Sequence, residues 1–394
     1  MKEFTYYVPT KVVFGKGAEA KTAAEVREFG GSRVLVVYGG GSVVRSGLLQ
    51  RIEDQLKEAG LAVESIGGVQ PNPRVALARE GVAKAIAFGA DFILAVGGGS
   101  VIDTAKAIAH GTANPGCDVW NDIWLGKVAL TKSLPVGVVL TISAAGSETS
   151  DSAVLTDEES NSKRGINTPF NRPRFAVMDP VLTYTLPKFQ ITCGCVDIMM
   201  HTMDRYFTPI QGNDLTDRIA ASVLRTVIEN APKALEDPTD YDAMSEIMWC
   251  GSLSHNDLTG LGGQKDFTPH KLGHELSAMF DVAHGASLSA IWGSWAAYSW
   301  HKDPERFQKF GRDVWGIAEA DPAKAAEETI RTTVEFFRSL DMPTCFSELG
   351  IGVLSDEVLH QLASHGTRGN SIKLGCFLPL DEQGAYEVYK LANR

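Results

Sequence analysis

Side chains able to hold a transition metal fall in two short stretches of this chain: Asp197 and His201 first, then His270, His274 and His284. In a helix a spacing of four returns to the same face, so Asp197-Ile-Met-Met-His201 and His270-Lys-Leu-Gly-His274 each form a two-toothed ligand pair. His284-Gly285 follows Asp281-Val-Ala, which reads as a break between helices. Imidazole and carboxylate suit Fe2+, Zn2+, Co2+ and Mn2+, and three histidines with one aspartate fill four positions of a site still open to substrate. Taken singly, the same pairs are also what a helix-surface ion pair or a satisfied core histidine looks like.

A second chemistry lies upstream. The tetrad Gly39-Gly40-Gly41-Ser42 follows Tyr38, and Gly97-Gly98-Gly99-Ser100 follows Val96. Glycines let backbone approach a pyrophosphate closely, and a helix N-terminus behind them offers unpaired N–H groups and a positive dipole end. Neither tetrad completes G-x-G-x-x-G, because Val44 and Ile102 stand at the sixth positions. The alternative is a plain strand-to-helix turn, with Ser100 and Asp103 as a capping box. No acid follows the first tetrad to hold a ribose 2′-hydroxyl, whereas Ser42 and nearby Arg45 leave room for a 2′-phosphate, so NADP(H) is expected ahead of NAD(H).

These groups need a scaffold that alternates strand and helix. Residues 34–38 read as a buried strand, followed by Leu48, Leu49, Ile52, Leu56 and Ala59 at helical spacing with Gly60 as the stop. A turn at Pro71-Asn-Pro73 opens a second helical run through Val75, Ala78, Val82 and Ile86, and strands are expected at 92–96, 136–140 and 175–178. Beyond Leu186-Pro187 the texture becomes helical, in runs such as 215–231, 243–254 and 323–340. The prediction is an α/β domain with a Rossmann-like parallel sheet over residues 1–187 and an all-α, metal-binding domain over 188–394. Trp120 and Trp124, four apart, suit either the wall of an apolar pocket or a packed loop.

Composition excludes some functions. The chain has 394 residues, 44% hydrophobic and 22% charged, with a net charge of -11, which fits two globular domains and argues against a nucleic-acid partner. The start of the chain lacks a basic region followed by an apolar one, and no apolar run approaches the ~20 residues of a membrane span, so the expectation is cytoplasmic and membrane-free. The six cysteines follow no disulfide framework.

Asp197-x-x-x-His201 with His270-Lys-Leu-Gly-His-Glu-Leu-Ser-Ala-Met-Phe-Asp-Val-Ala-His284-Gly resembles the signature of the iron-containing (group III) alcohol dehydrogenase family. The resemblance extends to Phe14-Gly-Lys-Gly17, Gly68-Val-Gln-Pro-Asn-Pro73, Gly97-Gly-Gly-Ser-Val-Ile-Asp103, Ala144-Ala-Gly-Ser-Glu148 and Asp179-Pro180. Tyr38-Gly-Gly-Gly-Ser42 and Gly194-Cys-Val-Asp-Ile-Met-Met-His201 are most similar to its NADPH-dependent butanol dehydrogenase and aldehyde reductase branch. It implies the two-domain architecture shared with dehydroquinate synthase-like proteins, a cofactor cleft between the domains, and one divalent metal, Fe2+ or Zn2+, on Asp197, His201, His270 and His284. For the dinucleotide it implies Gly39, Gly40, Gly41, Ser42, Asn72, Gly97, Gly98, Gly99, Ser100, Asp103, Thr141, Ser143 and Lys163, with His274 near the nicotinamide. Leu140-Thr-Ile-Ser143 departs from the Pro-Thr-Thr-Ala of many relatives. The chemistry implied is Lewis-acid polarisation of an aldehyde oxygen with hydride transfer from the nicotinamide, with His274 and Asp103 as catalytic candidates and His274 as proton relay. The partners implied are a small alcohol or aldehyde and further copies of the chain, as a homodimer or larger. A metal-dependent lyase or hydrolase, or a non-catalytic cofactor-binding scaffold, is the alternative.

Overall fold

A computed structural model describes residues 1–160 and 162–394. The chain divides into two compact units, one of Tyr7–Leu186 and one of Pro187–Arg394 together with Met1–Tyr6. The first six residues thus leave the 1–187 segment to which the sequence reading assigned them. The reason is local: the Met1 ammonium donates to the Gln211 carbonyl at 2.8 Å and the Lys2 amide to that of Gly262 at 2.8 Å.

The strands of the first unit are β1 (Lys11–Phe14), β2 (Arg33–Gly39), β3 (Ala62–Val69), β4 (Phe92–Gly97), β5 (Val136–Leu140), β6 (Ser152–Asp157), β7 (Ser162–Asn167) and β8 (Phe175–Met178). Its helices are α1 (Thr22–Glu28), α2 (Ser42–Arg45), α3 (Leu48–Glu58), α4 (Val75–Phe88) and α5 (Gly99–Ala113). Among the described residues, six strands form a parallel sheet in the order β1-β8-β5-β4-β2-β3, and β6 and β7 pair antiparallel beside it in sequence but as a sheet of their own. Every residue of β4, Phe-Ile-Leu-Ala-Val-Gly, is buried, as a parallel strand covered on both faces must be. Phe92, Leu94 and Val96 pack on one face with Val34, Val36, Ile52 and Leu56. This apolar sheet ends in the two glycine tetrads, at the C-terminal ends of β2 and β4.

The second unit is helical: α6 (Lys188–Tyr206), α7 (Asp214–Glu236), α8 (Tyr241–His255), α9 (Thr268–Phe280), α10 (His284–Ser299), α11 (Pro304–Phe310), α12 (Pro322–Ser339), α13 (Asp356–Thr367) and α14 (Glu382–Ala392). Helix α6 is its axis. From Gly194 to Tyr206 its residues are buried, and among them stand Asp197, His201, Asp204 and Arg205, charged or polar groups that burial would penalise without partners. Among the described residues no helix is long and apolar enough to cross a membrane.

Candidate metal centre and dinucleotide loops

Three helices bring the predicted ligands together. Asp197 and His201 come from the buried face of α6, His270 from the first turn of α9, and His284 begins α10. The approach of α10 to α6 depends on Gly285. A Cβ there would lie 2.3 Å from the Cys193 carbonyl oxygen, a backbone atom that cannot rotate away. The pairing His284-Gly285 therefore has a steric reason: glycine lets the helix start sit on α6.

Asp197, His201 and His270 offer ligand atoms that all lie within 4.8 Å of one another. His201 Nδ1, His270 Nε2 and His284 Nε2 stand 3.4, 3.5 and 3.6 Å from the same atom, Asp197 Oδ1. Those separations exceed the ~2.7–3.2 Å of a good N–H···O bond. They match the roughly 3.3 Å expected between two ligand atoms each ~2.0–2.1 Å from a shared tetrahedral ion. Asp197 Oδ1, His201 Nδ1 and His270 Nε2 are moreover buried with no hydrogen-bond partner, a cost that a cation between them would remove. The residues present fit a divalent metal.

The surroundings prepare the ligands. His270 Nδ1 lies 2.6 Å from Asp204 Oδ2, and a carboxylate only accepts, so Nδ1 carries the proton and Nε2 turns its lone pair toward Asp197. Arg205 Nη2 donates to His255 Nδ1 at 3.1 Å, and the His255 ring packs 4.0 Å from that of His201. Burial, helped by the neighbouring His255 and His270, drives His201 well below the usual imidazole range, leaving it neutral and able to ligate. Burial also opposes charge on His270, but the negative charges of Asp197 and Asp204, with the hydrogen bond to Asp204, outweigh it and hold His270 above its ordinary value. That spot favours positive charge.

His274, one turn beyond His270, is not among the three residues whose ligand atoms gather within 4.8 Å; its ring centroid is 6.2 Å from that of His270 and 5.2 Å from that of His284. Asp204 and the Arg205–His255 pair were missed by sequence reasoning. Asp204 was within reach of it, being seven residues from Asp197 and three from His201 on the same helix face.

The dinucleotide candidates lie in the sheet unit. At the second tetrad, Gly98 precedes α5 in extended conformation, and Cβ atoms on Gly98 and Gly99 would meet Ile142 Cδ1 at 2.9 Å and Ala145 Cβ at 3.0 Å. Segment 141–145 thus lies against this turn, and the Thr141 amide donates to the Gly97 carbonyl at 3.1 Å. Ser143 Oγ is buried without a hydrogen-bond partner, a polar atom of the kind a ligand would satisfy. Lys163 Nζ donates to Asn72 Oδ1 at 2.9 Å, so two candidates widely separated in sequence meet. Ser100 does not cap α5, whose N-cap is Gly98. Asp103, expected as a catalytic group, has both oxygens engaged: Oδ1 accepts from Ser147 Oγ at 2.6 Å and Oδ2 from the Val154 amide at 2.9 Å.

The first tetrad departs from the expectation of a helix dipole behind it. Gly41, at φ 126°, precedes only the single turn α2, which ends before Gly47 at φ 72°. One turn carries little macrodipole. The charge there is instead Arg45, whose Nη1 would lie 3.1 Å from a Cβ on Gly41. Trp120 and Trp124 are core residues, packed with Val75, Ala78, Ala153 and Leu155, as the packed-loop alternative has it.

A parallel-sheet unit with glycine turns and a helical unit with an Asp/His cage define a metal-dependent dinucleotide oxidoreductase. Residues 9–180 match the family described as iron-containing alcohol dehydrogenase, and residues 191–392 match the C-terminal part of the Fe-containing alcohol dehydrogenase family. The chain is 38% identical over 392 residues to NADH-dependent butanol dehydrogenase A of Clostridium acetobutylicum, covering 99% of each. It is 36% identical over 370 residues to the NADPH-dependent aldehyde reductase YqhD of Escherichia coli, covering 93% of this chain and 94% of the other. Among solved structures, NADH-dependent butanol dehydrogenase A of Thermotoga maritima superposes with a TM-score of 0.95 at 31% identity, covering 100% of this chain and 99% of that one. The chain belongs to the iron-containing alcohol dehydrogenase family. Membership carries with it alcohol–aldehyde oxidoreduction, a nicotinamide cofactor and a divalent metal.

Proposed function

We propose that this chain is an NADP(H)-dependent reductase of primary aldehydes, and in reverse a dehydrogenase of primary alcohols, with butanal and butanol as representative substrates. The observation that carries the metal part is the convergence of three imidazole nitrogens on Asp197 Oδ1. In this reading Asp197, His201, His270 and His284 hold Fe2+ or Zn2+, which supplies Lewis-acid polarisation of the substrate oxygen. The turn at residues 97–100, Thr141, Ser143, Asn72 and Lys163 bind the dinucleotide, while Asp103 anchors the loop beside them. NADP(H) is preferred over NAD(H) because no acid follows the first tetrad and Arg45 lies against it. Relatives named for NADH and for NADPH make that choice a matter for measurement.

The test is direct. Protein loaded with Fe2+ or with Zn2+ is given butanal and either NADPH or NADH, and nicotinamide absorbance is followed with and without a chelator. Chelator-sensitive oxidation, faster with NADPH, is expected. No oxidation across several aldehydes would reject the reading, and faster oxidation of NADH would reject only the cofactor choice. His274 is assigned a role in relaying a proton to the product oxygen. Replacing it with Ala is expected to lower turnover at least tenfold with metal content unchanged, and wild-type kinetics would remove it from the reaction.

A further inference from the structure

Lys106 has its side chain wholly inside the sheet unit, a place where lysine is rare unless its charge is answered. It projects from the second turn of α5, and its ammonium donates to the Ser147 carbonyl at 2.8 Å, Ser147 Oγ at 2.8 Å and the Ser152 carbonyl at 2.7 Å, with the Ser150 carbonyl farther off at 3.5 Å. All these acceptors belong to residues 147–152, most of which lack regular secondary structure. The same stretch is tied a second time, since Asp103, one turn earlier on α5, accepts from Ser147 Oγ at 2.6 Å and from the Val154 amide at 2.9 Å. Upstream it continues directly into Ala145 and Ile142, the residues that lie against Gly99 and Gly98.

An irregular segment has no ladder of its own to hold its shape. Here one cation substitutes for that ladder, gathering several oxygens from three residues as a bound metal ion would. We propose that Lys106 is a positioning residue for the dinucleotide, its ammonium fastening residues 147–152 to α5 so that 141–145 is held against the glycine turn at 97–100. The proposal rests on the functional reading above, in which those residues bind the cofactor. Hydrogen bonds to a charged donor are among the stronger ones, and this one tie fixes several carbonyls at once.

The tie is titratable. Burial lowers the Lys106 ammonium to about 8, while Asp103, Glu148 and Asp151 act to raise it and Arg172 to lower it further. Lys163 adds positive charge near Asp103 from β7. Below that value the amine is an ammonium with three donors. Above it the amine has two donors and a lone pair facing carbonyl oxygens, and the fastening weakens.

The experiment uses the full-length protein and NADPH itself, with dissociation constants from nicotinamide fluorescence between pH 7 and 9.5. For Lys106→Met the dissociation constant for NADPH is expected to rise at least tenfold at pH 7, with the maximal rate at saturating NADPH changing less. Hydrogen exchange of residues 141–152 in the ligand-free variant should be faster than in the wild type. The wild-type constant should rise with pH around 8, and that of Lys106→Met should stay flat. Ser147→Ala, which removes no buried charge, should shift binding and exchange in the same direction and decides the matter if Lys106→Met fails to fold. Variants that bind NADPH as tightly as the wild type overturn the proposal, as does a Lys106→Met variant that keeps the wild-type pH dependence. A wild type that binds neither NADPH nor NADH overturns the functional reading instead.

Discussion

A single carboxylate, Asp204, decides which nitrogen of His270 faces Asp197. Its oxygen 2.6 Å from Nδ1 fixes the proton there and leaves Nε2 as a donor of electrons, 3.5 Å from an aspartate oxygen that is also an acceptor. Two acceptors face each other stably only across a shared cation, a metal ion or a proton on the imidazole. Replacing Asp204 with Asn keeps the shape and removes the charge that orients and enriches the imidazole. Metal affinity, measured by competition with a chromogenic chelator, is therefore expected to fall about 10- to 100-fold. The melting temperature of the metal-free protein reads whether the fold has changed. An unchanged metal affinity would show that Asp204 does not support the site. The four candidate ligands were legible in the sequence because their spacing and the surrounding motif are both local. Asp204 was passed over although it lies on the same face, because an acid three residues after a helical histidine is common on ordinary helices.

At the scale of elements, the site depends on how closely α6, α9 and α10 approach. Two glycines set that distance: Gly285, against the Cys193 backbone, and Gly273, where a Cβ would lie 2.9 Å from Leu288 Cδ2 and 3.0 Å from Ser287 Oγ. At Gly273 the obstructing atoms are the ends of side chains, whereas at Gly285 they are backbone. Gly285→Ala is thus expected to push the start of α10 off α6, costing about 1–3 kcal/mol of stability as overpacking does. It should also weaken metal binding by displacing His284, whose imidazole lies 3.6 Å from Asp197 Oδ1. Denaturant unfolding of the metal-free protein measures the first effect and chelator competition the second. A variant with wild-type values for both would mean that the contact relaxes without consequence. The strands Val136–Leu140 and Phe175–Met178 were legible because fully buried parallel strands are short apolar runs. The β6–β7 pair was not, since Ser152–Asp157 and Ser162–Asn167 mix polar and apolar residues without a short hairpin-turn signal. Nor was the single-turn length of α2, which Gly47 imposes five residues after Ser42.

At the scale of the whole molecule, the change of texture near residue 187 was visible because helical periodicity replaces β-branched runs there. The return of Met1–Tyr6 to the helical unit was not, because it rests on hydrogen bonds to Gln211 and Gly262 that no local pattern announces. The division into units has an energetic consequence for metal removal. The ligand candidates all belong to the helical unit, and Asp197 Oδ1, His201 Nδ1 and His270 Nε2 among them are buried without a hydrogen-bond partner when no cation is present. A metal that binds only the folded form stabilises it by mass action, about 2.7 kcal/mol when free metal is 100 times its dissociation constant. That increment belongs to the helices that carry the ligands. Chelation is accordingly expected to accelerate hydrogen exchange in α6, α9 and α10 while leaving β4 and α5, with their own apolar core, near their metal-loaded rates. Re-addition of Fe2+ or Zn2+ should restore protection. Exchange in α6 that ignores the chelator would mean that the Asp/His cage holds no structural metal, whereas equal loosening of β4 would mean that the two units unfold as one.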